Sequence, residues 1–305
     1  MNATAPGKVI LFGEHAVVFG RPAIAVPVTQ VRATAEVMAN ASSFQIQALD
    51  LGSAYQLADA PADDPLAAAV WTTLEHLGRQ PPAVTLSIQS TIPIASGLGS
   101  GAAVSVAIIR ALARYLGTDL TDAAVSNLTF EVEKLHHGTP SGIDNTVLAF
   151  CRPLYFVRGQ PIQTFTIHTP FRLLIADTGI ASPTKTTVGE VRAAWQTRPA
   201  RYEALFDQIG QVAKAARFSI ENGQVDKLGP LMTRNQGLLE QLNVSSPQLE
   251  ALIGAALATG ADGAKLSGAG RGGNLIVLVR PEREMAITQA LEQVGAVNVI
   301  AAWVR

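Results

Sequence analysis

The chain has 305 residues, with 23 Lys and Arg against 24 Asp and Glu, a formal net charge of −1. That balance holds no basic excess to suggest a nucleic-acid surface, and 48% hydrophobic with 15% charged residues excludes a disordered chain. No apolar run approaches the roughly 18 residues of a membrane helix, MNATAPGKVILFGEH lacks the length and charge order of a signal peptide, and a single cysteine, Cys151, allows no internal disulfide, so a cytoplasmic protein is expected.

The length suits one large or two ordinary domains. In chain order, the apolar run VILF (9–12) predicts a buried strand, with Lys8 just before it and Glu14-His15 just after it. Residues 25–39, 44–49 and 83–93 alternate apolar and polar, as half-buried antiparallel strands do. Residues 63–78 have helical spacing, opened by Asp64-Pro65 and closed by Gly78. Helices are predicted from the glycines near 100 to about Leu116 and from Thr121 to His136 or His137. Beyond these, 172–179 reads as a strand, and 200–223 and 246–260 read as helices closed by glycine. KLSGAGRGGNLIVLVR (265–280) reads as a glycine loop entering a buried strand, and an amphipathic helix at 282–295 precedes a strand at 297–305. The mix predicts an α+β class with a seam between about 152 and 170, giving domains 1–165 and 166–305.

Three segments carry chemistry. Pro93-Ile-Ala-Ser96-Gly97-Leu98-Gly99-Ser100-Gly101-Ala102-Ala103 follows a strand and opens a helix. Small residues let backbone N–H groups approach a ligand, and a helix N-terminus favours negative charge, so the segment reads as a phosphate cradle. A tight strand–helix turn is the other reading of a lone GxGxG. No Walker A string is present. The Rossmann spacing matches at Gly97, Gly99 and Ala102 and at Gly268, Gly270 and Gly273. It fails on context both times, because helix and turn follow the first match and a strand follows the second. In the third segment, EVEKLHHGTPSGIDN (131–145), a helix bearing Glu131 and Glu133 ends at Gly138, and a Pro-Ser-Gly turn presents Asp144 and Asn145. His136 and His137 are adjacent on a helix and point apart, a poor zinc pair, whereas carboxylates suit Mg2+. Lys8, Glu14 and His15 stand either as ordinary surface and turn residues or as functional groups.

APGKVILFGEHAVVFG (5–20), PIASGLGSGAA (93–103) and KLSGAGRGG (265–273) together resemble, in order and spacing, the motifs of the GHMP kinases. Within that superfamily the first segment and HGTPSGIDN (137–145) are most similar to the mevalonate kinases, as is ASPTKTTVGEV (181–191). The resemblance implies a two-domain GHMP kinase fold with the active site in the interdomain cleft. It also implies transfer of the ATP γ-phosphate to the 5-hydroxyl of (R)-mevalonate, with ATP and mevalonate as partners and Mg2+ as cofactor. Carried onto this sequence, it makes Asp144 the catalytic carboxylate and Lys8 its partner, and it gives the substrate Glu14, His15 and Thr184. It gives ATP Pro93, Ser96, Gly97, Leu98, Gly99, Ser100, Gly101, Ala102, Gly268 and Gly270, and the metal Glu133 and Ser100.

Two departures stand out. The usual GLGSS has Gly101 in place of its second serine, leaving Ser100 or water for the metal. The usual GAGGGGC has Arg271 and Asn274, and the arginine either binds an anion or points to solvent. Sister readings are a phosphomevalonate kinase, a mevalonate 3-kinase and the superfamily's ATP-dependent decarboxylase, and a catalytically silent nucleotide-binding module is the reading from another class. Only six lysines, Lys8, Lys134, Lys185, Lys214, Lys227 and Lys265, are few for a phosphorylated substrate. A silent module would be expected to lose Asp144 or Lys8, and both are present. No nucleic-acid or membrane partner is expected, and the sequence leaves a homodimer open.

Overall fold

In the computed structural model, residues 1–40, 42–93, 97–137, 140–182 and 184–305 are described, without the side chains of His136 and His137. The chain divides into two units, and neither is one continuous stretch. The first comprises Met1–Lys8, Val31–Pro93 and Gly99–Cys151; the second comprises Val9–Gln30, Ile94–Leu98 and Arg152–Arg305. This differs from a single cut between 165 and 166, because two N-terminal segments cluster with the C-terminal one and the second unit resumes at Arg152.

The first part of the chain supplies β1 (Asn2–Phe12), β2 (Ala23–Ala39), β3 (Gln45–Ala48), β4 (Ser53–Gln56), α1 (Pro65–Leu77), β5 (Val84–Ser90), α2 (Ser100–Tyr115), α3 (Asp122–His137) and α4 (Ile143–Phe150). β1 pairs with β2. In the first unit β2 pairs antiparallel with β5 over Ala33–Ala39, and β4 pairs antiparallel with β3. β3 runs parallel to β5, an exception to the expected antiparallel pattern. Asp64 accepts from Leu66 N at 2.8 Å and Ala67 N at 2.9 Å, and Gly78 ends α1 in the left-handed region, so the cap signals set both ends of that helix. α2 buries Ala103, Val106, Ala107, Ile109 and Leu112 where it packs on α1 and α3. Its alanines let the helices approach closely, and each fully buried Val or Ile contributes roughly 1.5–3 kcal/mol. α4 replaces the expected open turn: Gly142 is its N-cap, Asp144 lies in its first turn, and Cys151 closes it at φ +49°. Asn145 is buried and donates to Ser126 O at 3.0 Å and Ser126 Oγ at 2.9 Å, so it serves the core and is not presented to a ligand.

The remainder supplies β6 (Leu154–Phe156), β7 (Gln163–Thr164), β8 (Phe171–Asp177), α5 (Thr184–Thr197), α6 (Pro199–Glu221), α7 (Leu228–Gln241), α8 (Pro247–Ala258), β9 (Gly263–Ser267), β10 (Asn274–Val279), α9 (Glu284–Val294) and β11 (Asn298–Val304). β6 pairs with Ala23–Ala25 of β2 and with β7. A four-stranded antiparallel sheet has the order β11-β8-β10-β9, with α7 and α8 packed on β9 and α9 on β11 and β8. β10, NLIVLV, is buried along its whole length. Asn274 lies opposite both Asp177 and Ser267. That register places the 268–273 loop and the residues that follow β8 at one end of the sheet. Among the described residues no helix is long and apolar enough to cross a membrane.

Candidate active site

In the first unit, three helices bring their ends to one lysine. Lys8 is buried near the middle of β1, and its Nζ lies 2.9 Å from Asp144 Oδ1 in the first turn of α4. Gly99, the N-cap of α2, has φ +76°, and a Cβ there would stand 3.1 Å from Lys8 Cγ and 3.2 Å from Leu148 Cδ1. Glycine at 99 therefore lets the start of α2 press on the lysine stem and on α4. α3 supplies Glu133, also buried. Its pKa is pushed up to about 7, first by burial and then by the Asp144 carboxylate, with Lys8 opposing both. Gly101, in the first turn of α2, faces it: a Cβ at 101 would stand 3.7 Å from Glu133 Oε1, with no positive φ to strain it. The first N–H groups of α2 have no partner within the helix, and glycine as N-cap offers no side chain to them. The unit thus presents an ammonium, two carboxylates and a helix N-terminus, an arrangement able to hold a hydroxyl, take its proton and attract a polyphosphate.

Gly97 is exposed, whereas Leu98 and Ala102 are buried, so the side chains of the latter two pack and leave only backbone to a nucleotide. Pro93 and Ser100 are half-buried at the two sides of this loop. Ser96 and Gly138 lie outside the described residues.

In the second unit, the turn after β1 holds Glu14 and His15. Glu14 is 0% exposed, ion-paired with Lys265 Nζ of β9, and accepts from Asn235 Nδ2 of α7 at 3.3 Å. Lys265 also donates to Leu266 O. Burial works to raise Glu14 and to lower Lys265, and their mutual attraction opposes both effects. Where the resemblance gave Glu14 to the substrate, the structure encloses it between Lys265 and Asn235. His15 has φ +60° and is buried, with Nε2 2.9 Å from Ala269 O. A carbonyl only accepts, so Nε2 carries the proton. Burial, with a smaller effect from Arg271, lowers the imidazole pKa to about 4 against the opposing Ala269 bond, so the ring is neutral at physiological pH. Nδ1 is then an acceptor, buried without a hydrogen-bond partner among the described residues.

The 268–273 loop is held closely. Gly270 has φ +80°, and a Cβ there would stand 2.0 Å from Val244 O, so only glycine fits. Gly268 faces open space. Arg271, at φ +58°, does not stand free in solvent: it pairs with Glu190 of α5 and donates to Asn243 O at 3.3 Å. Thr184 is exposed as the first residue of α5. Sequence reasoning missed Lys265, Asn235 and Glu190. Glu14 and Lys265 are 251 residues apart, so no local pattern joins them. The available signal was a lysine in a strand otherwise built of small and apolar residues.

Residues 65–152 match the family described as GHMP kinases N terminal domain, and residues 215–298 match GHMP kinases C terminal. The mevalonate kinase of Pyrococcus horikoshii is 35% identical, over 98% of this chain and 94% of its own. The crystal structure of the Methanococcus jannaschii mevalonate kinase aligns with a TM-score of 0.88 at 27% identity, covering 100% of this chain and 98% of that one. The L. major mevalonate kinase, solved in complex with R-mevalonate, aligns with a TM-score of 0.86 at 29% identity, covering 100% and 96%.

Proposed function

From the fact that the chain belongs to the GHMP kinases, in their mevalonate kinase branch, we infer that it transfers the γ-phosphate of ATP to the 5-hydroxyl of (R)-mevalonate. The observation that carries the chemistry is the 2.9 Å pair of Lys8 and Asp144 with Glu133 beside it. The substrate oxygen attacks the γ-phosphorus, the new O–P bond forms as the bond to the bridging oxygen breaks, and ADP leaves. Asp144 takes the hydroxyl proton, and Lys8 stabilises the negative charge that develops on the attacking oxygen. The N-terminus of α2 receives phosphate oxygens through backbone N–H groups. His15 Nδ1, an acceptor lacking a donor, suits a substrate hydroxyl.

The residues present fit Mg2+. The donors are oxygens only, from Glu133 and the Ser100 hydroxyl, and no cage of three or more His, Cys, Asp or Glu side chains forms among the described residues. Mg2+ commonly takes one or two carboxylates together with phosphates. Glu133, whose burial favours its protonated form, gains a reason to ionise when a cation arrives. Bound there, the ion would neutralise charge on the phosphates.

The test is incubation of the purified protein with Mg·ATP and either (R)-mevalonate or 5-phosphomevalonate, followed by 31P NMR. The expected products are ADP and 5-phosphomevalonate from the first mixture alone. Consumption of phosphomevalonate with mevalonate untouched would overturn the reading.

A further inference from the structure

The backbone ties of the glycine loop run to two neighbours within the second unit. On one side Ser182 Oγ donates to Gly270 O at 2.8 Å, and Gly273 N donates to Ile180 O at 2.7 Å. On the other side Arg271 N donates to Val244 O at 2.8 Å. The Arg271 side chain adds a tie of another kind. Its guanidinium, anchored on Asn243 O, reaches the carboxylate of Glu190. Glu190 stands on α5 six residues after Thr184, nearly two helical turns. Arg271 adopts the left-handed region, which costs any residue but glycine, and its side chain there spans from the loop to the neighbouring helix.

We propose that Arg271 is a positioning residue: through Glu190 it fixes α5, and with it Thr184 at the helix start, to the glycine loop before mevalonate binds. This rests on the reading of mevalonate as substrate and of Thr184 as one of its contacts. The guanidinium acts through the helix and leaves the reacting atoms to other groups. The two side chains are 32% and 49% exposed, so the pair is half-solvated and its effect is modest. A contact preset equally for ground state and transition state lowers KM and leaves kcat alone.

The experiment compares Arg271→Gly, Glu190→Gln, their combination, and the reversed pair Arg271→Glu with Glu190→Arg. Glycine adopts the φ of residue 271 without strain, so the first variant keeps the fold. Each single variant raises the KM for mevalonate about two- to fivefold, with kcat and the KM for ATP essentially unmoved. The combination is no worse than either single, and the reversed pair recovers much of the loss. Amide hydrogen exchange without ligands reads the same device independently of turnover: residues 184–191 exchange about two- to fivefold faster in both singles and recover in the reversed pair. Protein that is inert toward mevalonate yet shows this exchange pattern would sink the substrate reading and uphold the tie. Strictly additive singles with unchanged exchange would overturn the tie. A rise confined to the KM for ATP would also overturn it, by making the guanidinium a phosphate ligand.

Discussion

Asp144 and Lys8 form one ion pair, and the proposed mechanism gives each charge its own task, proton acceptor for the one and charge stabiliser for the other. Asp144→Asn removes the proton acceptor and keeps the shape, so kcat should fall at least about 100-fold while the far-ultraviolet CD spectrum and melting temperature stay near the parent's. Lys8→Met should lower kcat more than it raises the KM for ATP, which steady-state kinetics separates directly. Glu133 gives a pH prediction for metal-free protein. Its folded-state pKa, about 7, lies above the 4.5 of the ordinary side chain. The folded state therefore keeps a proton that the unfolded chain releases. That contribution is fully present below about 4.5 and is lost as pH rises through 7. Glu133→Gln stays neutral, so it should gain on the parent between pH 5 and pH 8 by up to about 3 kcal/mol, measured by denaturant unfolding in EDTA. A difference independent of pH would refute the shift. For the enclosed pair, Lys265→Met should cost about 3–5 kcal/mol by stranding the Glu14 charge, and adding Glu14→Gln should restore part of it. Equal stability of the parent and the single variant would show that Glu14 is already protonated there.

At the scale of the element, α2 is where the proposed nucleotide site begins. Gly101→Ser places a hydroxyl beside Glu133, where a Cβ meets Oε1 at an ordinary contact distance of 3.7 Å. We expect it to fold, to melt slightly higher because serine is the better helix former by about 0.5 kcal/mol, and to bind Mg·ATP more tightly by calorimetry. Lost nucleotide binding would mean that phosphate lies against the backbone at 101. The elements that the sequence made legible are those with local signals. Asp64 and Gly78 bounded α1 to within a residue, and period-2 alternation found most of β2. α7 was hidden because Gly229, Pro230 and Gly237 interrupt its pattern, and packing against β9 compensates for them. α4 was hidden because Asn145 and Thr146 look like loop residues; both are buried and satisfied by neighbouring groups. At the candidate site, the motifs gave Lys8, Glu133 and Asp144. They could not give the enclosure of Glu14, because its partners Asn235 and Lys265 arrive from α7 and β9.

For the whole molecule, the decisive feature is that the chain passes between its units within strands and loops: after Lys8, Gln30, Pro93, Leu98 and Cys151. A cut at Cys151 therefore does not separate two domains. Residues 152–305 alone would lack Ile10, whose backbone N and O are bound by Ser267 Oγ at 3.1 and 3.0 Å. They would also lack Ala23–Ala25, the partner of β6, and Glu14, the counter-charge of fully buried Lys265. Such a fragment should give poorly dispersed amide resonances and no cooperative melt. A well-dispersed spectrum would show that the C-terminal segment holds its own core.

Cys151, the only thiol in the chain, closes the same short helix whose first turn bears Asp144. Over eight residues at 1.5 Å each, the two ends stand about 12 Å apart. The residue is exposed, and partial desolvation of its sulfur raises the thiol pKa, so maleimide chemistry near neutral pH should attach a single dye slowly, without mutagenesis. An environment-sensitive fluorophore there would turn α4 into an optical readout, in real time and without mutagenesis, of whether nucleotide and substrate arrive at its opposite end as proposed.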